Sequence, residues 1–294
     1  MNDLDRTKYM GSGDAAAACG VSPFVTPLDV YLYKRGEPKE YDMSASSSRP
    51  LRFGQFNESF VLSEFTLQTG LKVADRQKHM RHPDYPHIGA TVDGMTFLQG
   101  GDVAVVEAKT TSLRFDDLPD HIVVQVQEQL AVTGLKLAFV PVLFSGRDFK
   151  VFEVEADEGL QATIISKMDA LWSAVQDGNP PPPVSLKDVN TLFPHDCGGI
   201  IEADRTTFEF WLQIKKVKET LADLQNQKNV FEMAIKSTMG ENSLLTDHEG
   251  TSLATWKCSK GQNRFDSKAF QKTHPELYDE FCTPVPGTRR FLIK

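Results

Sequence analysis

Two acidic residues and a lysine stand close together in the stretch GATVDGMTFLQGGDVAVVEAKTT, at a spacing that suits hydrolysis of a phosphodiester. Asp93 ends a short extended run, and Glu107 and Lys109 end the apolar run VAVVEAK. Residues two apart on a strand point to the same face of a sheet, so Glu107 and Lys109 would be neighbours there. A turn at Gly100-Gly101 would pair the two runs as a hairpin and bring Asp93 next to both.

Two carboxylates and an amine at the end of an apolar sheet suit a metal ion. Carboxylates this close repel each other unless a hard cation neutralises them, and Mg²⁺ takes a small number of such oxygens as ligands. We expect Asp93 and Glu107 to bind Mg²⁺ or Mn²⁺, with the backbone carbonyl of Ala108 as a further oxygen ligand. Lys109 could orient the attacking water, help to deprotonate it, or offset the charge that develops on the phosphate.

The helix predicted over Arg52 to Gly70 has a carboxylate on an apolar stripe. Glu58 lies on the same stripe as three apolar residues, Val61, Leu62 and Phe65. A carboxylate is costly to bury without a partner. Two interpretations stay open. Glu58 lies at the helix edge and reaches water, or it faces the cation held by Asp93 and Glu107, where it completes that site or holds a second ion roughly 4 Å away.

A further predicted helix, from Pro119 to Gly134, presents two glutamines on one face. Gln125 and Gln129 are four residues apart, which places them one turn from each other. Gln125 can donate and accept hydrogen bonds without carrying a charge, so it suits the positioning of Lys109 or of the attacking water. The acid–lysine pattern alone is moderately specific, because many surface hairpins contain such residues. The buried setting of VAVVEAK and the position of Glu58 on an apolar stripe make it more specific.

Length and composition exclude several classes of protein. At 294 residues the chain can bury one large core, or one core and a smaller module. No apolar run approaches the roughly 20 residues that span a bilayer, and the first residues lack the apolar core of a signal peptide. The four cysteines form no CxxC pair, which argues against a zinc ribbon or an iron–sulfur cluster and suggests reduced thiols in a cytoplasmic protein. The net charge of -8 is not typical of a generic nucleic-acid binder.

The order of the predicted elements indicates an α/β fold with a central mixed sheet flanked by helices. Helices are expected over residues 12–20, 26–36, 52–70, 119–134 and 157–176, and strands over 71–81, 88–96, 103–109, 137–144 and 149–155. Four prolines from Pro180 to Pro183 cannot continue a helix and form a stiff linker. We therefore expect a core domain over residues 1–183 and a C-terminal module over residues 184–294.

The C-terminal module is predicted to contain a long helix over about residues 204–239 and a small α+β tail. Apolar residues recur along the helix at spacings of three and four, with Lys228 as an interruption: Phe210, Ile214, Val217, Leu221, Leu224, Phe231 and Ile235. This seam fits a helix folded back on its own domain as well as an intermolecular coiled coil. The tail from Thr251 to Lys294 is basic, with eight Lys and Arg residues against four acidic ones. Its aromatic residues suit either a small core or contact with a DNA strand.

Five segments resemble the YqaJ-like phage recombinase family, which comprises lambda-type exonucleases of the PD-(D/E)xK nuclease superfamily. In chain order they are GSGDAAAACGVSPF, RFGQFNESF, GATVDG, VVEAKTT and QVQEQLAVTG. The resemblance covers roughly Arg6 to Pro183 and implies a PD-(D/E)xK nuclease core. It also implies a Mg²⁺-dependent deoxyribonuclease that digests one strand of double-stranded DNA from its 5′ end, in the cytoplasm of a bacterial host.

The same resemblance implies roles for individual residues. It puts the catalytic positions and the supporting glutamine at Glu58, Asp93, Glu107, Lys109 and Gln125. Arg6 falls where the family has an arginine that holds the 5′-phosphate. Where the family usually has a serine before the acidic residue of the first helix, this chain has Gly13, with Ser12 one place earlier. Ser12 and the amides of this helix start could bind the phosphate, or Ser12 could serve only as a helix cap.

The partners implied by the resemblance are double-stranded DNA ends and a single-strand annealing protein, which would use the 3′ overhang in phage-type recombination. Family members are often ring-shaped trimers, so a homo-oligomer is also implied. Two other functions stay open. The same core could serve a DNA endonuclease or a repair nuclease, or the chain could be a non-catalytic recombination-assembly protein that binds DNA.

Overall fold

The computed structural model describes residues 5–37, 45–283, 285 and 287–294, without the side chains of residues 45–51. The chain divides into two units, Met1–Leu192 and Phe193–Lys294. The domain boundary at residue 183 stays a prediction, and the short helix that follows it packs with the first unit, where Thr26 Oγ1 donates to Asp188 Oδ1 at 2.9 Å. In the part of the chain that the structure describes, no helix has the length and apolar character needed to cross a membrane.

The first unit alternates helices and strands. Its helices are a 3₁₀ helix (Arg6–Lys8), α1 (Ser12–Ala18), α2 (Pro27–Lys34), α3 (Ala45–Thr69), α4 (Asp120–Thr133), α5 (Glu158–Asp177) and α6 (Leu186–Leu192). Its strands are β1 (Met10–Gly11), β2 (Val73–Ala74), β3 (Lys78–Arg81), β4 (Ile88–Val92), β5 (Gly94–Phe97), β6 (Val103–Val106), β7 (Lys109–Thr111), β8 (Leu137–Phe144) and β9 (Asp148–Glu155).

Six of these strands form a central mixed sheet in the order β2-β5-β6-β8-β7, with β9 also paired to β8. Strands β6 and β7 run parallel to β8, and the other pairs are antiparallel. A second sheet has the order β1-β4-β3. The predicted α/β fold with a central mixed sheet flanked by helices is therefore confirmed.

Helices cover both faces of the central sheet because successive residues of a strand point to opposite sides. Ala104 and Val106 of β6 share an apolar cluster with Leu62 and Phe65 of α3. Val105, between them, belongs to a separate cluster that contains residues of α4. A third cluster joins α1, α2, α4 and α5 to the second sheet. Both α3 and α4 are thus fixed against the strand that leads to Glu107.

The strand that the sequence predicts up to Lys109 is interrupted at Glu107 and Ala108. The flanking strands β6 and β7 pair with β8 at the same offset, so the register is kept across the break. The Glu107 N–H still donates to the Phe139 carbonyl at 3.0 Å. The Ala108 N–H instead donates to Asp93 Oδ2 at 2.9 Å, so a side chain replaces a strand as its partner.

Two other boundaries differ from the predictions. The strand expected over Leu71–Arg81 is split into β2 and β3 by a turn, in which Asp75 has a φ of 48° and Gln77 a φ of 53°. These values lie in the left-handed region that favours glycine, so the sequence does not mark the turn. Helix α3 begins at Ala45 rather than at Arg52, because the serine-rich start lacks the apolar period by which a helix is predicted.

The second unit contains the predicted long helix. Its elements are α7 (Arg205–Met239), β10 (Leu244–Thr246), β11 (Ser252–Thr255), α8 (Ser267–Thr273) and α9 (Pro275–Glu280). The apolar residues of the α7 seam remain exposed, from 40% at Ile214 to 67% at Phe231. The helix therefore does not cover its seam by folding back on its own unit, and the intermolecular coiled coil stays a prediction.

Lys34 ties the N-terminal segment to the core of the first unit. Its side chain is 1% exposed, and its Nζ lies 2.6 Å from Asp14 Oδ2. The same ammonium donates to the carbonyls of Arg6 at 2.7 Å and Tyr9 at 2.6 Å. These three acceptors match the three N–H groups of a lysine, so the buried charge is satisfied and the chain around Arg6 is held in place.

Glu128, on α4, is a buried carboxyl without such partners. It is fully buried, and among the described residues neither of its oxygens has a hydrogen-bond partner. Burial, and then the nearby charges of Asp14 and Glu107, raise the pKa of Glu128 to about 8. The Ser12 hydroxyl lies beside it and acts in the opposite direction, although the two groups do not reach hydrogen-bond geometry.

Replacement of Lys34 should destabilise the fold strongly. Lys34→Met keeps the aliphatic stem and leaves the Asp14 carboxylate without its buried partner, and breaking a buried ion pair costs about 3–5 kcal/mol. We expect a loss of about 3 kcal/mol in urea unfolding. Lys136→Met is the matched control, because this exposed lysine pairs with the exposed Glu158 at 3.1 Å and exposed pairs contribute about 1 kcal/mol or less. Equal losses in the two variants would contradict the assignment.

Replacement of Glu128 should change how stability depends on pH. Between its ordinary pKa of 4.5 and its raised pKa of about 8, this carboxyl holds a proton in the folded chain but not in the unfolded one. The stability that this protonated carboxyl contributes is therefore fully present below pH 4.5 and is lost as the pH rises through about 8. Glu128→Gln, which stays neutral, should be more stable than the wild type at pH 8 by up to about 5 kcal/mol, with a smaller difference in acid.

Urea unfolding at a series of pH values measures this difference. Glu158→Gln serves as the control, because the Glu158 side chain is 83% exposed and should leave the pH profile as it is in the wild type. A wild-type profile for Glu128→Gln would show that the carboxyl is ionised in the folded chain.

Candidate active site

Breaks between strands bring the two predicted metal ligands together. Asp93 is the residue between β4 and β5, where the chain passes from the second sheet into the central one. Glu107 directly follows β6. Gly94 pairs with Val106 in the antiparallel hairpin, so the residues just outside that pair, Asp93 and Glu107, lie side by side. The hydrogen bond from the Ala108 N–H holds the Asp93 carboxylate against this corner.

Glu107 is 4% exposed, and three side chains donate to its carboxylate. Oε1 accepts from Lys109 Nζ at 2.7 Å and from Gln125 Nε2 at 2.6 Å. Oε2 accepts from Gln129 Nε2 at 2.8 Å. Because a buried carboxylate is costly without hydrogen-bond donors, these contacts stabilise the Glu107 side chain in this position.

Lys109 and Gln125 complete a closed set of contacts with Glu107. Besides its ion pair with Glu107, Lys109 Nζ donates to Gln125 Oε1 at 2.9 Å. The amide of Gln125 thus donates to the acid and accepts from the amine. Gln129, one turn later on α4, supports the same acid from its other oxygen. The structure therefore places Gln125 where the sequence predicted a residue that positions Lys109.

Glu58 turns toward this cluster from α3. Its Oε1 lies 2.9 Å from Gln77 Nε2 and 3.5 Å from Arg76 Nη2. Gln77 Nε2 also donates to Asp93 Oδ1 at 3.2 Å, so one amide joins the two acids. The Glu58 side chain is 23% exposed. Of the two interpretations left open by the sequence, this geometry favours the one in which Glu58 faces the same site as Asp93.

The three carboxyl groups of Glu58, Asp93 and Glu107, the acidic cluster of the site, repel one another more than the nearby hydrogen-bond donors offset. Burial, and then the carboxylates of Glu107 and Glu58, raise the pKa of Asp93 to about 8. The Lys109 ammonium and the Ala108 N–H act in the opposite direction and do not cancel this effect. A positive charge added beside Asp93 would therefore be favourable.

The donor set fits a hard divalent cation. Carboxylate and carbonyl oxygens suit Mg²⁺ or Mn²⁺ better than softer metals. Over the described ranges, no group of three or more His, Cys, Asp or Glu side chains is arranged to hold an ion unaided. Mg²⁺ does not need such a group, because it commonly takes one or two carboxylates and keeps several water molecules or phosphate oxygens. Asp93 and Glu107 meet that requirement.

Two cavities meet at the carboxylates. The larger has a volume of about 670 Å³ and the smaller about 300 Å³. Both are lined by Gln55, Glu58, Asp93 and Glu107. Arg6, Ser12 and Gly13 border the larger cavity, whereas Lys109 and Thr110 border the smaller one. The residues predicted to bind a terminal phosphate thus share one cavity with the predicted metal ligands.

Ser12 does not act as the cap of α1. The N-cap residue is Gly11, whose N–H donates to Asp14 Oδ2 at 2.9 Å. The Ser12 side chain is buried beside Glu128. Its interpretation as a plain helix cap is therefore wrong, and its role toward a phosphate stays a prediction. Gly13 leaves open space, since an added Cβ would meet nothing within 4 Å.

Sequence reasoning assigned no role to three residues that contact the acids. The sequence could have predicted a role for Gln129, because it follows Gln125 by one helical turn and so lies on the same face of the helix. Arg76 and Gln77 carry none, since their segment is predicted as a plain strand and the turn between β2 and β3 depends on unusual backbone angles.

Residues 4–136 match the family model of the YqaJ-like viral recombinase domain. Over 307 aligned residues the chain is 28% identical to the uncharacterised protein YqaJ of Bacillus subtilis (strain 168), and the alignment covers 99% of this chain and 92% of that protein.

Among solved structures, the chain is similar to the alkaline exonuclease LHK-Exo from Laribacter hongkongensis. The identity is 16% and the TM-score 0.49, with 59% of this chain and 91% of that chain covered. A phage-related exonuclease from Haemophilus somnus 129PT is similar at 9% identity and a TM-score of 0.42, with 57% and 94% covered.

The matched segment contains the whole cluster, from Glu58 on α3 to Gln125 on α4. The alignment with YqaJ extends over almost the entire chain, including the second unit. The resemblance seen in the sequence motifs is confirmed as a similarity: residues 4–136 match the model of the YqaJ-like viral recombinase domain, and the chain is similar to YqaJ over almost its whole length.

Proposed function

We propose that this chain is a metal-dependent deoxyribonuclease of the PD-(D/E)xK type that digests one strand of double-stranded DNA from its 5′ end. The observation that carries the proposal is the closed set of contacts among Glu107, Lys109 and Gln125, with Asp93 beside it in a cavity that Arg6 also borders. A YqaJ-like viral recombinase domain around these residues supports DNA as the substrate.

The reaction would be hydrolysis of a phosphodiester by water. The water oxygen forms a bond to phosphorus while the bond from phosphorus to a sugar oxygen breaks, and that oxygen takes up a proton. Lys109 orients the water and offsets the negative charge that develops on the phosphate. Gln125 holds Lys109 through the 2.9 Å contact, so the amine stays in one orientation during the reaction.

Asp93, Glu107 and the backbone carbonyl of Ala108 would hold a divalent cation, Mg²⁺ with Mn²⁺ as a substitute. Glu58 would complete this site or hold a second ion. The bound cation would lower the pKa of the water and share the charge of the phosphate. The glutamines that donate to Glu107 would hold its carboxylate in the orientation needed for this purpose.

The larger cavity would hold the end of the DNA strand. Arg6 supplies a permanent positive charge for a 5′-phosphate, and the backbone N–H groups of Ser12 and Gly13 at the start of α1 would contribute further donors, while the Ser12 hydroxyl is buried beside Glu128. With the phosphate at that end and the scissile bond at Asp93, the rest of the strand would pass toward the smaller cavity. This arrangement supports release of nucleotides from the 5′ end.

The product would be a 3′ single-stranded overhang, which suits a partner single-strand annealing protein in phage-type homologous recombination. A homo-oligomer, of which a trimeric ring is one form, would keep the enzyme on its DNA through successive cleavages. The exposed apolar seam of α7 offers a surface for such association.

Digestion of end-labelled linear duplex tests the proposed function directly. With Mg²⁺ we expect early release of a 5′ label and late release of a 3′ label, because the strand is consumed from its 5′ end. A duplex without 5′-phosphates should be digested more slowly. Cleavage of covalently closed circles would instead favour an endonuclease or a repair nuclease, and a wild type that cuts no DNA with Mg²⁺ or Mn²⁺ would favour a non-catalytic assembly protein.

Substitutions at Lys109 and Gln125 should differ in severity. Lys109→Ala removes the group that faces the water, and we expect the digestion rate to fall by about 10²–10⁴-fold. Gln125→Ala leaves Lys109 in place and removes its support, together with one of the three donors to Glu107, and should cost about 10–100-fold. Lys136→Ala is the matched control, because this exposed lysine pairs with Glu158 at 3.1 Å away from the site. Wild-type digestion by a folded Lys109→Ala variant would refute the assignment.

A further inference from the structure

Gln77 contacts two of the acids, although the chemistry described above gives it no part. Its Nε2 lies 2.9 Å from Glu58 Oε1 and 3.2 Å from Asp93 Oδ1. Its backbone N–H also donates to the Asp93 carbonyl at 3.4 Å. One residue thus contacts Asp93 at two points and Glu58 at a third.

The backbone of Gln77 is held in an unfavourable conformation to make these contacts. Its φ of 53° lies in the left-handed region, which is unfavourable for a residue with a Cβ. Asp75 has a φ of 48° in the same turn, which is closed by the 3.0 Å ion pair between Asp75 and Lys78. Strain of this kind persists where the surrounding contacts fix the residue, and here the contacts are those to the two acids.

Glu58 and Asp93 reach the site from separate elements and repel each other. Glu58 belongs to α3, whereas Asp93 lies at the junction of the two sheets. In the part of the chain that the structure describes, the Gln77 amide is the group that joins these two carboxylates by hydrogen bonds. An amide nitrogen has two hydrogens to donate, one for each acid.

The bridge is compatible with a bound cation. Each carboxylate oxygen has two lone-pair sites, so an oxygen that accepts from Gln77 can still bind a metal. Residues that hold metal ligands from behind typically change metal affinity by 10–100-fold when they are removed. Gln77 meets the geometric requirement for such a residue.

We propose that Gln77 is a positioning residue of the candidate active site, which holds the carboxylates of Glu58 and Asp93 together so that both can bind a divalent cation. This inference rests on the proposed function, because it requires that the site take a cation. It adds a residue outside the acid–lysine motif, supplied by the turn between β2 and β3.

Calorimetric titration of the full chain with Mn²⁺ alone tests the proposal without reference to DNA digestion. Gln77→Met keeps an unbranched side chain of similar length and removes the amide. The substituted residue must adopt the same positive φ, so the backbone strain is unchanged. We expect Mn²⁺ to bind about tenfold more weakly to this variant. Digestion by the variant should need correspondingly more Mn²⁺ and approach the wild-type rate when Mn²⁺ is saturating.

Asp75→Asn is the matched control within the same turn. Asparagine tolerates a positive φ, and the substitution removes the ion pair with Lys78 but leaves the Gln77 amide in place. It should bind Mn²⁺ as the wild type does. If Asp75→Asn lost as much Mn²⁺ affinity as Gln77→Met, the effect would belong to the turn as a whole and the proposal would be overturned.

Gln77→Glu gives an independent measurement if Gln77→Met does not fold. A third carboxylate beside Glu58 and Asp93 adds repulsion that only a cation relieves, so Mn²⁺ should raise the melting temperature of this variant more than that of the wild type. Equal shifts, or equal Mn²⁺ affinities of Gln77→Met and the wild type, would overturn the inference while leaving the proposed function intact. A wild type that neither binds Mn²⁺ nor digests DNA would overturn both.

Discussion

The burial of the Glu107 carboxyl group is the constraint on which the rest of the site depends. A buried carboxyl group needs hydrogen-bond donors around it, and here they come from Lys109, Gln125 and Gln129. Helix α4 must therefore cross the sheet so that two glutamines, one turn apart, reach the same acid. The packing of α4 on the apolar face that contains Val105 sets that position, so core and site cannot be arranged independently.

The parts of the site that lie within one hairpin or one helix could be predicted from the sequence. Alternation along a strand and a Gly-Gly turn were enough to bring Asp93, Glu107 and Lys109 together, and helical spacing placed Gln125 on a face with Gln129. These patterns act over a few residues and depend on backbone geometry that most side chains share. The break at Ala108 is different, because a regular alternating pattern does not show that the Ala108 N–H leaves the strand pairing and donates to the Asp93 carboxylate instead.

Sequence patterns did not predict which side chains from different elements would come into contact. The period of α3 shows that Glu58 lies on an apolar stripe, but not which groups face that stripe. The answer comes from Gln77, in a turn whose backbone angles the sequence does not indicate. Ser12 shows the same limit. Its position suggests a helix cap, yet the structure buries its hydroxyl beside Glu128, far along the chain on α4.

The position of Asp93 between two sheets also has a mechanical consequence. Strand β4, which precedes Asp93, pairs with β1, and β1 directly follows the segment that contains Arg6. Strand β5, which follows Asp93, belongs to the sheet that carries Glu107. The position of Asp93 therefore depends on both sheets, because β4 holds the backbone before it, and the pairing of β5 with β6 and the hydrogen bond from the Ala108 N–H hold it beside Glu107. A substitution that disturbs the pairing of β1 with β4 would therefore act on the candidate active site, although neither strand contributes a carboxylate to it.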